Sequence, residues 1–157
     1  MPDDIPFDAI LTASAAAGEA TRLRLLALLA EAELTVSELV TILGQSQPRI
    51  SRHLKLLVEA GLVERHREGA WVFFRIAQTG PVAGFARDLI AKFAPDDARL
   101  TADRARLGEV RQTRADQASR YFAAHAANWD EVRAMHVPEE RVEAAIREAI
   151  GAGPVHA

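Results

Sequence analysis

Residues 45–76 read QSQPRISRHLKLLVEAGLVERHREGAWVFFRI, and no other stretch restricts the possible folds so severely. Ser46 stands where a helix N-cap is wanted, and Pro48 suits a first turn, where a missing N–H costs nothing. At one hundred degrees per residue, Ile50, Leu54, Leu57 and Val58 fall on one stripe, while Arg49, Arg52 and Lys55 gather on the opposite side. One face of this helix is made to pack and the other is left free. Gly61 supplies a left-handed residue at its end. Two extended runs follow at once, LVERHR and WVFFRI, and a turn is expected at Glu68-Gly69. On the second run Trp71 and Phe73 alternate with Val72, Phe74 and Ile76, so at least one set should be core, with the other open to the dimer or the C-terminal extension.

Upstream, EATRLRLLALLAEAEL places Leu25, Leu28 and Leu29 at helical spacing, and TVSELVTILG follows as a shorter helix. Thr35 and Glu38 form a T-x-x-E capping box, Leu39, Ile42 and Leu43 make a buried stripe, and Gly44 permits a sharp turn before Ser46. Two helices joined by a tight turn and followed by a hairpin constitute a winged helix-turn-helix. FDAILTASAAA before it and PVAGFARDLIAKF after it also read as helices, and such flanking helices are natural dimerisation surfaces. The fold class is therefore mainly α with a small β-hairpin wing. A winged domain over residues 1–95 is expected to precede a helical extension over 96–157.

A net charge of −3 argues against a uniformly basic nucleic-acid binder, but charge acts locally. Between Gln45 and Arg67, Arg49, Arg52, Lys55, Arg65 and Arg67 outweigh Glu59 and Glu64, before His53 and His66 are counted. Such a charged helix face is, on its own, usually just solvated; the adjoining turn and wing favour a nucleic-acid role. His66 lies between the wing arginines, where phosphate contact and simple exposure are both open readings. With 49% hydrophobic and 26% charged residues, a packed core is within reach. No run approaches the roughly eighteen apolar residues of a membrane span, and the acidic start lacks a signal peptide's charged head, so a cytoplasmic location is expected. The absence of cysteine excludes disulfides, thiolate metal sites and cysteine nucleophiles.

The stretches GEATRLRLLALL and ELTVSELVTILGQSQPRISRHLKLLVEAGLVERHREGAWVFFRI resemble the ArsR family of bacterial transcriptional repressors. The resemblance implies a homodimer joined through the first and last helices of the domain, with recognition helices in successive major grooves of double-stranded operator DNA. It implies base-proximal roles for Ser46, Gln47, Arg49, Ser51, Arg52 and His53, with Lys55 on the same cationic face. Arg65 and Arg67 of the wing would then meet phosphate or minor groove. In arsenic-type members, the helix beginning here at Thr35 starts with C-x-C; this chain has Thr35-Val36-Ser37. Neutral hydroxyls are poor ligands for soft metals. A zinc-type site on the last domain helix needs Asp and His, and that helix offers Asp88 without His. His125, His136 and His156 lack ligand spacing and read as solvated or locally bonded. A repressor without metal response, open to a small-molecule inducer, is the expectation.

A linker or helix boundary is expected at Ala94–Asp97. Beyond it Leu107, Val110, Ala118, Tyr121, Phe122, Ala126, Trp129 and Val132 form a narrow apolar seam, and Pro138 opens a final helix. Tyr121-Phe122 followed by Trp129-Asp130 is similar to the lead-in of ArsR-type regulators fused to a class I S-adenosylmethionine-dependent methyltransferase. That resemblance implies a ligand-proximal or domain-packing role for these four residues. S-adenosylmethionine or S-adenosylhomocysteine would then be the ligand of a following domain. No cofactor or catalytic residue is expected within the 157 residues, where Gly151-Ala152-Gly153 is only G-x-G. Two rival readings are an N-terminal fragment of such a fusion enzyme and a protein-interaction module built on the seam.

Overall fold

The computed structural model describes the backbone of residues 4–134 and the side chains of residues 4–126. The order is α1 (Phe7–Ala17), α2 (Ala20–Glu31), α3 (Val36–Leu43), α4 (Gln47–Glu59), β1 (Val63–Glu68), β2 (Trp71–Ile76), α5 (Ala83–Ala91) and α6 (Ala98–Ala134). This is a winged helix-turn-helix followed by a long helix. The expected final helix from Pro138, together with His136 and His156, lies outside the described residues.

Local chemistry accounts for most boundaries. Thr35 caps α3 in a complete box: its N–H donates to Glu38 Oε1 at 2.9 Å, and its Oγ1 accepts from Glu38 N at 3.3 Å. Gly44 ends α3 at φ 64°, a left-handed conformation that costs other residues steric strain. α4 ends in a Schellman arrangement, with Leu62 N–H donating to Leu57 O and Gly61 N–H to Val58 O, both at 3.0 Å. Leu62 and Leu57 are both fully buried, closing that corner with apolar contact.

Three sequence expectations are corrected. Ser46 holds the N-cap position of α4, but its side chain makes no capping bond. Pro48 removes one of the two N–H groups a cap normally engages. The hairpin turn is Gly69-Ala70, because Glu68 pairs with Trp71 inside the sheet. The alternation on β2 also fails, since adjacent Phe73 and Phe74 are both buried while Trp71 is 52% exposed. The wing is covered on both faces near its base. Leu34 meets Phe74 in an isolated antiparallel bridge, through Leu34 N to Phe74 O at 3.1 Å and Phe74 N to Leu34 O at 2.8 Å.

Leu25, Leu26 and Leu29 of α2, Leu39 and Ile42 of α3, and Ile50, Leu54 and Leu57 of α4 form the core. Burial of each such side chain contributes about 1.5–3 kcal/mol, so α4 is held rigidly by its inner stripe. Two compact units divide the chain, Met1–Leu107 and Gly108–Ala157. Asp97 caps α6 where the linker was expected, its Oδ1 accepting from Arg99 N at 2.9 Å and Leu100 N at 3.1 Å. The break between units nevertheless falls later than residue 95, because the first turns of α6 bond back into the first unit. Arg106 Nη1 donates to Ile42 O at 3.1 Å, meeting a carbonyl in the last turn of α3. In the second unit, Val110 is 9% exposed and Ala118, Tyr121 and Phe122 are half-buried.

Candidate nucleic-acid interface

With Ile50, Leu54 and Leu57 turned inward, the geometry of α4 puts Ser46, Gln47, Arg49, Arg52 and Lys55 in solvent. The turn before it is braced by Gln45, whose Nε2 donates to the buried Thr21 Oγ1 at 3.0 Å. Ser51 is half-buried on the side facing the wing, where it lines a groove with Lys55 and Arg65.

His53 is placed differently from its neighbours. Its side chain is 14% exposed, and its Nδ1 lies 3.2 Å from Arg22 Nη1 and 3.8 Å from Glu19 Oε2. A guanidinium only donates, so Nδ1 must accept, which requires a neutral ring with its proton on Nε2. Burial holds the His53 pKa below its usual value; Glu19 opposes this, and the charges of Arg22, Arg49 and Arg52 reinforce it. His53 thus joins the recognition helix to the start of α2 rather than presenting a cation. Arg22 completes the joint by donating from Nε to Ala16 O. Burial raises the Glu19 pKa, but the backbone N–H groups of Arg22 and Thr21, with the charge of Arg22, bring it below the ordinary range.

The wing separates its charges by strand geometry. In the observed register Arg65 lies opposite Phe74 and Arg67 opposite Val72, so these four share one face, whereas Glu64, His66 and Glu68 share the other. Arg65 and Arg67 are both exposed, and the Arg65 guanidinium carbon stands 6.0 Å from the Phe74 ring centroid. Glu64 is occupied elsewhere: Oε2 accepts from Arg75 Nε at 3.2 Å, and Oε1 accepts from Gln78 N at 3.0 Å and Thr79 N at 3.2 Å. Burial pushes its pKa up, and these backbone and side-chain donors pull it below the ordinary value. His66, between the two arginines in sequence, lies with Glu64 and Glu68 on the other face and is half-buried.

Sequence reasoning missed Glu19, Arg22 and Gln45, which set the position of the recognition helix. Their partners lie on other helices, and no local spacing announces them. Tyr121 and Phe122 belong to the second unit, where the Tyr121 ring stacks on His125 at 4.0 Å and His125 Nδ1 lies 2.9 Å from Tyr121 O. The side chains of Trp129 and Asp130 lie outside the described residues.

Helix α4 beside a hairpin with one cationic face makes this a winged helix-turn-helix protein. The family described as "Bacterial regulatory protein, arsR family" matches residues 19–65. The arsenical resistance operon repressor of Escherichia coli is 52% identical over 58 residues, which are 36% of this chain and 50% of that one. An HTH-type transcriptional regulator of Methanocaldococcus jannaschii is 44% identical over 60 residues, 38% of this chain and 67% of that protein. The crystal structure of the transcriptional repressor BigR from Xylella fastidiosa gives a TM-score of 0.49 at 29% identity, covering 55% of this chain and 84% of that one. The matched segment spans about half the length of the Escherichia coli relative. This chain belongs to the arsR family.

Proposed function

We propose that this protein is a dimeric, sequence-specific transcriptional repressor that binds double-stranded operator DNA and catalyses nothing within these residues. One observation carries the reading: Lys55 of α4 and Arg65 of the wing flank a single groove, with Arg49, Arg52 and Arg67 exposed nearby in sequence and Glu64 tied to Arg75 on the opposite face of the hairpin. The exposed turn of α4 from Ser46 to Arg52 would read base edges, and Arg65 and Arg67 would hold phosphate. Dimerisation is supported by α1, where Phe7 and Leu11, one helical turn apart, are 76% and 57% exposed. Operator duplexes selected from a random-sequence pool, with affinity read by anisotropy over a salt series, test the proposal.

The inducer we propose is not a soft metal, although the Escherichia coli relative is named for arsenical resistance. Thr35 Oγ1 is engaged in the capping box and Ser37 is exposed; neither supplies a thiolate. The pairs Tyr121-Phe122 and Trp129-Asp130 support a further reading, in which a following methyltransferase-type domain brings S-adenosylmethionine or S-adenosylhomocysteine. The coding sequence beyond Ala157 tests that directly.

A further inference from the structure

The groove between α4 and the wing encloses about 520 Å³, within the range of roughly 300–1,000 Å³ typical of small-molecule sites. Its floor is apolar, made by Val36, Leu54, Val58, Val72 and Phe74, and its rim carries Ser51, Lys55, Glu59 and Arg65. We propose that this groove binds a small aromatic carboxylate, and that such a ligand and operator DNA exclude one another there.

The chemistry of the ligand follows from the lining. A floor without polar side chains requires an apolar body, and a hairpin strand facing a helix favours a flat one. The rim carries two cations against one acid. That acid is weakly engaged, with Lys55 Nζ 3.9 Å from Glu59 Oε1 and both side chains largely exposed, so little is lost when an incoming anion takes Lys55 instead. Arg65 sits over the Phe74 ring, and no carboxylate among the described residues pairs with it. An aromatic ring beside Phe74 would place its carboxylate within reach of that guanidinium, whose fork suits two parallel hydrogen bonds. The Ser51 hydroxyl offers a further donor. A cationic ligand meets two like charges here, and a neutral one leaves Arg65 without a carboxylate. Mutual exclusion with DNA rests on the function proposed above, which assigns Lys55 and Arg65 to the DNA.

The test uses the full chain without DNA, with naphthoate as the anionic probe and naphthamide as its neutral counterpart. Backbone amide NMR titration of the wild type is expected to show saturable naphthoate shifts centred on residues 51–59 and 65–74, with naphthamide weaker. Lys55→Ala combined with Arg65→Ala should weaken naphthoate about tenfold and leave naphthamide unchanged. Val58→Phe, which fills the floor, should abolish binding of both. The proposal is overturned by an absence of saturable binding, by equal affinity for the two probes, or by shifts centred instead on the separate cavity near Leu28, Ile90 and Phe93. Retained binding in Val58→Phe also overturns it. Because these readouts involve no DNA, their failure leaves the repressor assignment intact, and failure to bind any operator leaves the ligand site intact.

Discussion

Arg24 and Asp103 form a two-pronged ion pair across 79 residues of sequence, with Nε donating to Oδ2 at 2.9 Å and Nη2 to Oδ1 at 2.8 Å. Asp103 is 2% exposed, so this charge lies inside the protein and depends on its partner. The hydrogen bond to Asp103 raises the Arg24 pKa, against the opposing effect of burial. The opening of α6 is thereby fastened to α2, and Arg104 adds an exposed tie, donating from Nε to Glu31 Oε1 at 3.0 Å.

Asp103→Ala should destabilise the first unit by about 3 kcal/mol, because it leaves a half-buried guanidinium without its counter-charge. Arg104→Ala should cost less than about 1 kcal/mol, as expected of a solvated pair. Urea denaturation of both variants checks the contrast. Equal effects would mean that the Arg24–Asp103 pair is not the stronger fastening.

The pH dependence has a defined sign. His53 is held below its ordinary value of 6.5, so folding favours its neutral form. Its contribution is present above pH 6.5 and is lost as pH falls below that value toward the depressed folded one. Glu19 and Glu64 are lowered from 4.5, so their contributions are present above 4.5 and disappear at lower pH. Stability should therefore fall on acidification in two stages. His53→Gln should remove the upper stage, as read from urea midpoints across pH, whereas an unchanged upper stage would assign it to another group.

Arg65→Ala and Arg67→Ala should each lower affinity across DNA sequences and reduce the salt-dependence slope by about one unit, the expectation for one lost phosphate contact. The ranking of sequences should persist. An unaltered slope in both variants would place these arginines away from the DNA.

Phe7→Glu combined with Leu11→Glu should convert the dimer to monomer while leaving the monomer folded, since both side chains are already exposed. Sedimentation velocity reads the mass, and circular dichroism reads the fold. A dimer surviving both charges would move the interface off α1.

The parts of this fold that could be read from the chain are those governed by neighbours in sequence. The Thr35–Glu38 box, the Gly61 corner and the inner stripe of α4 each depend on contacts within about four residues, and local spacing reveals them. The wing's turn slipped by one position because Gly69 is compatible with either side of a tight loop. Phe74 is also bridged to Leu34, a distant backbone partner that no alternation pattern encodes. In the interface, exposure of Arg49, Arg52, Lys55, Arg65 and Arg67 follows from periodicity. The engagement of His53 with Arg22 and Glu19 arises from helix packing, which also carries the first turns of α6 into the first unit through Asp103.

Operator affinity of Arg49→Ala, Arg52→Ala and the double variant tests most directly whether the outer face of α4 reads DNA. Against a duplex selected by the wild-type protein, loss of a base-reading arginine should cost about 1–3 kcal/mol, with selectivity relaxed at the positions contacted. Wild-type affinity and selectivity in a correctly folded double variant would contradict the account.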